Sequence, residues 1–68
     1  MEKTRGATRL AALAKERGLK GEDMAKAIGC SQPHVSRILA GHRLPSLRLM
    51  ASIQKTYGIE PAAWVDQP

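Results

Sequence analysis

The chain has no Phe, one Trp, one Tyr and one Cys among its 68 residues. So thin a supply of aromatic side chains, beside abundant Ala and Leu and few β-branched residues, argues against a sheet and for helices. A single cysteine excludes an internal disulfide framework and a Cys-based zinc site. No apolar run approaches the roughly 18 residues that suggest a membrane span. The opening Met1-Glu2-Lys3-Thr4-Arg5 lacks the apolar stretch of a signal peptide, so the expected location is intracellular and cytoplasmic. The length allows one domain at most. What is present in excess is positive charge: 11 Lys and Arg stand against 6 Asp and Glu, a formal net charge of +5. A small basic domain suits a polyanionic partner, nucleic acid first among them. The same excess can also do no more than solvate the surface, and charge by itself does not choose.

The pattern along the chain predicts five short helices and no sheet. Residues 1–6 read as a flexible basic arm, closed by Gly6, and 66–68 as a frayed tail, leaving 7–65 as the domain. The first helix runs from Ala7 to Arg17 with Leu10, Leu13 and Ala14 on one face; Gly18 stops it and Leu19 plugs the turn. The second spans Gly21 to Ile28, with Glu22 and Asp23 in the dipole-favoured first turn and Met24, Ala25 and Ile28 inward. Ser31 is a good cap for a third helix from Gln32 to about Ala40, where Pro33 costs little and Val35, Ile38 and Leu39 point inward. Gly41 caps it, and His42-Arg43-Leu44-Pro45 is a loop. Ser46 caps a fourth helix, Leu47 to about Tyr57, whose inner face includes Leu47, Met50, Ala51, Ile53 and Gln54. After Gly58 and the plug Ile59, Pro61 opens a final turn through Trp64 and Val65.

Helices two and three, separated only by Gly29-Cys30-Ser31, form the local pattern of a helix-turn-helix. Ala25 lets the helices approach, Gly29 permits the sharp turn, and Val35 and Ile38 lock the second helix of the pair on the first. At the level of whole motifs the chain resembles the Cro/repressor-like (XRE-like) class of helix-turn-helix proteins. The resemblance covers about Leu10 to Trp64: Leu10 and Leu13, Gly18-Leu19, Met24-Ala25, Ile28-Gly29, Cys30-Ser31-Gln32, Val35-Ser36-Arg37-Ile38, Gly41, Pro45-Ser46-Leu47, Gly58-Ile59 and Pro61-Ala62-Ala63-Trp64. It implies an all-α, five-helix lambda-repressor-like domain that binds double-stranded DNA and regulates transcription, with the helix from Gln32 in the major groove.

Carried residue by residue, the resemblance makes Gln32, Pro33, Ser36 and Arg37 the candidate base readers. Glutamine can pair bidentately with an adenine edge or clamp a phosphate, Pro33 can touch a thymine methyl, and Ser36 can reach a base or a water. Arg37 suits the two acceptors of guanine; the alternative is a surface arginine paired with a phosphate or a carboxylate. The candidate backbone contacts are Lys20, Gly21, His34, His42, Arg43, Ser46 and Arg48, with Lys3 and Arg5 of the arm following the DNA. His34 fits a phosphate better than a base, with neither as a third reading. Arg48 opposes the dipole of its own helix, which a nearby phosphate would rationalise, although a solvated arginine serves equally. The chain departs from the family at Gly21, where a phosphate-gripping glutamine is common, at Lys20 in place of a Ser or Thr cap, and at Ala14 in place of an arginine. These departures bear on affinity and docking rather than on fold.

No catalytic reading emerges: His34 and His42 are the only histidines, no carboxylate pair has acid–base spacing, and no Gly-rich phosphate loop occurs. Cys30 reads as a packed thiol, and neither a metal, a cofactor nor a small-molecule substrate is expected. The serious rival is a protein-interaction or antitoxin module on the same fold. One module covers about one half-site, so the expected state is a monomer or weak homodimer that pairs on DNA. The segment from Tyr57 to Val65 is the candidate dimer surface, unless Trp64 simply closes the monomer core.

Overall fold

A computed structural model describes residues 4–65 of the chain. Its elements are α1 (Arg5–Arg17), α2 (Gly21–Ile28), α3 (Gln32–Leu39), α4 (Leu47–Tyr57) and α5 (Ala62–Val65), with no strand among the described residues. Lys3 and the 66–68 tail lie outside the described residues. Helices α2 and α3 pack on each other as the central pair; α1 lies across α3 and α5, and α4 closes on α2.

The local turn chemistry explains where each helix ends. Gly18, Gly29 and Gly58 adopt the left-handed conformation just past α1, α2 and α4. After α1 the Leu19 N–H donates to the Ala14 carbonyl at 2.8 Å, which turns Leu19 back against the core. After α2 the Ala25 carbonyl accepts from both Gly29 at 2.8 Å and Cys30 at 2.9 Å, making the tight turn into α3. The end of α3 differs slightly from expectation: Ala40 is its cap in right-handed geometry, and Gly41, at φ 81°, makes the left-handed step one residue later.

The N-terminus departs further from the sequence reading. α1 starts at Arg5, two residues early, because the Thr4 hydroxyl caps it by accepting from the Ala7 N–H at 3.2 Å. Arg5 is therefore helical, and its guanidinium sits 3.9 Å from the Glu60 carboxylate beside α5 rather than on an arm. Gly6 is buried within the first turn. A Cβ placed there would run into the indole of Trp64, 2.7 Å from both Cε2 and Cε3. The absence of a side chain at Gly6 thus lets the ring of Trp64, itself 1% exposed, lie against the backbone of α1.

The core comprises Ala7, Leu10, Met24, Ala25, Ile28, Val35, Ile38, Leu49, Met50, Ile53, Ile59, Ala63 and Trp64, with Leu13, Ala14, Leu19, Cys30, Leu39 and Tyr57 half-buried against it. Helix α4 is rotated from the expected register. Leu49, Met50 and Ile53 face inward, whereas Ala51 and Gln54 are exposed and Leu47 is 83% exposed. Burial of Leu49, Met50 and Ile53 sets this register and leaves Leu47, the first residue after the Ser46 cap, on the solvent side. At the other end Ile59, Ala63 and Trp64 are all in the monomer core, so of the segment considered as a dimer surface only Val65 stands out as a large exposed apolar side chain. The Trp64 indole nitrogen is buried with no partner among the described residues, a cost of about 1–3 kcal/mol against the roughly 4–6 kcal/mol expected from burying a tryptophan surface.

Candidate nucleic-acid interface

Helix α3 forms because Ser31 caps it, its hydroxyl accepting from the His34 N–H at 3.4 Å, and because Pro33 sits in the first turn where its missing N–H is not needed. Val35 and Ile38, 1% and 0% exposed, pin one side of the helix to the core. Positions i, i+1, i+4 and i+5 share the opposite side of an α-helix, and there Gln32, Pro33, Ser36 and Arg37 are all exposed. The structure thus brings the four candidate base readers onto one outward face.

The candidate backbone contacts are less uniform. His42 and Arg43 are exposed in the loop after α3, Ser46 is exposed at the N-cap of α4, and Arg48 is exposed in the first turn of that helix. The Ser46 oxygen is already used as a cap, accepting from the Leu49 N–H at 3.2 Å, which leaves its hydroxyl proton to donate. Lys20 is exposed at the N-cap of α2 without a side-chain cap bond, and Gly21 follows it half-buried. His34 lies toward the inward side of α3, half-buried, with its Nε2 sealed from solvent and unpartnered among the described residues. As the ring lies, that nitrogen cannot donate to a phosphate.

Charge is segregated along the chain in a way the site makes visible. No Asp or Glu occurs between Asp23 and Glu60, while Lys26, Arg37, Arg43, Arg48 and Lys55 all fall in that interval. An anion approaching α3, its following loop or α4 therefore meets no carboxylate on those elements. Arg37, Arg43 and Arg48 make no ion pair among the described residues, so the carboxylate-paired reading of Arg37 has no support. The first turns of α3 and α4 contain no acid, whereas that of α2 holds Glu22 and Asp23. Those two carboxylates already complement the α2 dipole, which makes the Lys20–Gly21 end a poorer anion contact than the starts of α3 and α4.

Three further features bound the chemistry. Burial raises the Cys30 thiol above its ordinary range, so it is protonated at neutral pH and a weak nucleophile. Among the described residues no cluster of His, Cys, Asp and Glu could hold a metal ion. No helix among them is long and apolar enough to cross a membrane. What the sequence reading missed is the apolar border of the basic loop: Leu44 and Leu47 are 53% and 83% exposed, flanking Arg43 and Arg48 in sequence. The i, i+1, i+4 spacing of Leu49, Met50 and Ile53 is the signal that places Leu47 outward.

Comparison with known proteins gives a concordant picture. Residues 7–64 match the profile of the helix-turn-helix domain family. The chain is also similar to an HTH-type transcriptional regulator, DdrOP3, of Deinococcus deserti, at 43% identity over 51 residues that cover 75% of this chain and 40% of the relative. The chain thus matches well under half the length of that protein. No solved structure matches it significantly.

Proposed function

From a chain that belongs to the helix-turn-helix domain family, we propose a sequence-specific, double-stranded DNA-binding transcriptional regulator of the Cro/repressor-like (XRE-like) type. The observation that carries this reading is the outward face of α3, where Gln32, Ser36 and Arg37 stand exposed within a stretch free of carboxylates. In this reading α3 enters the major groove. Gln32 and Arg37 present the amide and guanidinium groups that pair with adenine and guanine edges, and Pro33 and Ser36 fill the space between. His42, Arg43 and Arg48 meet phosphates on either side, with Ser46 donating from the start of α4. The name of the Deinococcus relative supports the regulatory role.

One module spans about one half-site, so the protein pairs two-fold on DNA while remaining a monomer or weak dimer alone. The alternative, a protein-interaction or antitoxin module, is favoured by the exposed Leu44 and Leu47, which a groove-reading helix does not itself require. Selection of binding sites from random duplexes at several salt concentrations separates the two. A DNA reader yields one motif and an affinity that falls steeply with salt. A protein that selects no motif and shows no salt-dependent DNA affinity refutes the DNA reading.

A further inference from the structure

Three large apolar side chains stand exposed among the described residues: Leu44 at 53%, Leu47 at 83% and Val65 at 66%. Val65 is the end of α5, but Leu44 and Leu47 are neighbours, so close in sequence that the chain can separate their Cα atoms by no more than about 11 Å. Neither is exposed because its backbone is loose. Pro45 between them is buried, and the residue before a proline is held to extended geometry. Ser46 caps α4 by accepting from the Leu49 N–H at 3.2 Å. The buried proline and the capped turn thus display both leucines from a fixed backbone. Beyond Leu47 the strip continues along α4. Ala51 lies one turn on and is exposed, with Arg48 and Lys55 exposed beside it, on the side opposite Leu49, Met50 and Ile53.

An apolar strip edged by cations selects its occupant by charge. Arg43 adjoins Leu44, Arg48 adjoins Leu47 and Lys55 follows Ala51 by one turn, while no Asp or Glu occurs between Asp23 and Glu60. A second copy of the chain seated here would set these cations against their own counterparts with no carboxylate on either face to pair them, which opposes association. DNA phosphates satisfy the arginines but offer the leucines no apolar surface. A partner carrying both carboxylates and apolar side chains satisfies every group. We propose that the α3–α4 loop and the outer face of α4 form a docking surface for an acidic amphipathic protein segment, which seats apolar side chains on Leu44, Leu47 and Ala51 and carboxylates on Arg43, Arg48 and Lys55. The inference rests on the DNA-reading function and adds its regulation. Arg43 and Arg48 are also phosphate contacts in that reading, so the segment and the duplex exclude one another. A helical segment suits the strip, because its apolar residues recur at the one-turn spacing of Leu47 and Ala51. Covering one exposed leucine is enough for about a ten-fold gain in affinity, which separates such a partner from a mere polyanion.

Two synthetic glutamate-rich helical peptides are the probes, one with leucines at i, i+4 spacing and one with each of those leucines replaced by serine. Each is titrated into the full chain, with amide resonances and binding isotherms followed and the duplex obtained by site selection as competitor. The leucine peptide should bind about ten-fold tighter than the serine peptide, shift the resonances of the α3–α4 loop and α4, and displace the duplex. Leu44→Ser and Leu47→Ser change exposed side chains, so their thermal melts should match the wild type. Each should lose about ten-fold affinity for the leucine peptide while binding the duplex like the wild type. Arg48→Ala should weaken both ligands. Equal binding of the two peptides, or undiminished peptide binding by both leucine variants, reduces the surface to unspecific charge and overturns the inference. So does a leucine peptide that fails to bind, shifts other resonances, or binds without displacing the duplex. Leucine variants that lose duplex and peptide equally assign the leucines to DNA, which overturns it too. All of these leave the DNA reading standing. A wild type that takes the leucine peptide at this surface but selects no duplex supports the surface and overturns the DNA reading instead.

Discussion

Replacing Gly6 by alanine adds one methyl group where the backbone of α1 lies directly against the Trp64 indole. The new Cβ would lie 2.7 Å from Cε2 and Cε3 of Trp64, where carbon–carbon contacts settle near 3.5–4.0 Å. Relief requires about 1 Å of movement by the indole or by the first turn of α1. Neither is free to move: Trp64 is 1% exposed and Ala7 and Leu10 follow at 2% and 0%. Overpacking of this kind costs roughly 1–3 kcal/mol, while the gain in helix propensity is at most about 1 kcal/mol and smaller in a first turn. The net expectation is a loss of about 1–2 kcal/mol, a fall in Tm of roughly 4–16 °C for a domain of this size. Urea unfolding followed by the fluorescence of Trp64 measures both quantities needed, since it is the only tryptophan: the midpoint reports stability and the native emission maximum reports whether the indole has been forced toward water. Gly6→Ala with unchanged or raised stability, and native emission like the wild type's, would refute the claim that Gly6 is a packing residue.

Further outcomes follow from the exposed face and the caps. Arg37→Ala should cost roughly 1–3 kcal/mol on the selected duplex and relax preference at one base pair, whereas Arg43→Ala should weaken all duplexes about equally and reduce the salt slope by about one; binding isotherms across a salt series decide, and equal losses on specific and scrambled DNA for Arg37→Ala would make it a backbone contact. Ser46→Ala removes the hydroxyl that caps Leu49 and should lower stability by about 1 kcal/mol in denaturant titration; a midpoint unchanged from wild type would contradict the cap. Cys30 should alkylate slowly at neutral pH in the native protein. Because folding raises its pKa, the unfolded chain loses this proton first, so the stability linked to it is intact below the ordinary thiol pKa, roughly 8.5, and declines as pH rises beyond it; a native thiol that reacts as fast as a free one at pH 7 would overturn that.

Much of the architecture was legible in the sequence because its determinants are local. A left-handed step at Gly18, Gly29 or Gly58 depends on the residue itself, and the inward sets Met24, Ala25, Ile28 and Val35, Ile38 follow from helical spacing alone. The outward group on α3 follows from the same spacing by subtraction. The register of α4 was misread because an apolar residue beside a cap, Leu47, satisfies the pattern without facing the core. The half-buried position of His34, with its Nε2 sealed from solvent, was not legible because nothing in the residue type encodes it.

The two glycines with ordinary helical backbone, Gly6 and Gly21, were the least legible, for one physical reason. As a local signal, glycine means backbone freedom, so Gly6 read as the close of an arm and Gly21 as a missing phosphate clamp. In the folded chain neither uses that freedom; each sits in a helix, but only at Gly6 would a Cβ collide, whereas at Gly21 it would be in ordinary contact. The neighbour in each case comes from elsewhere: Trp64 from the far end of the chain against Gly6, Gln32 from the next helix near Gly21. A missing side chain gains meaning only through its tertiary neighbour, and that is where the two sites diverge. At Gly6 the neighbour is buried and apolar, so filling the space changes stability. At Gly21 the neighbour is an exposed amide at ordinary contact distance, so a methyl group there should be accepted and stability should change by no more than the difference in helix propensity.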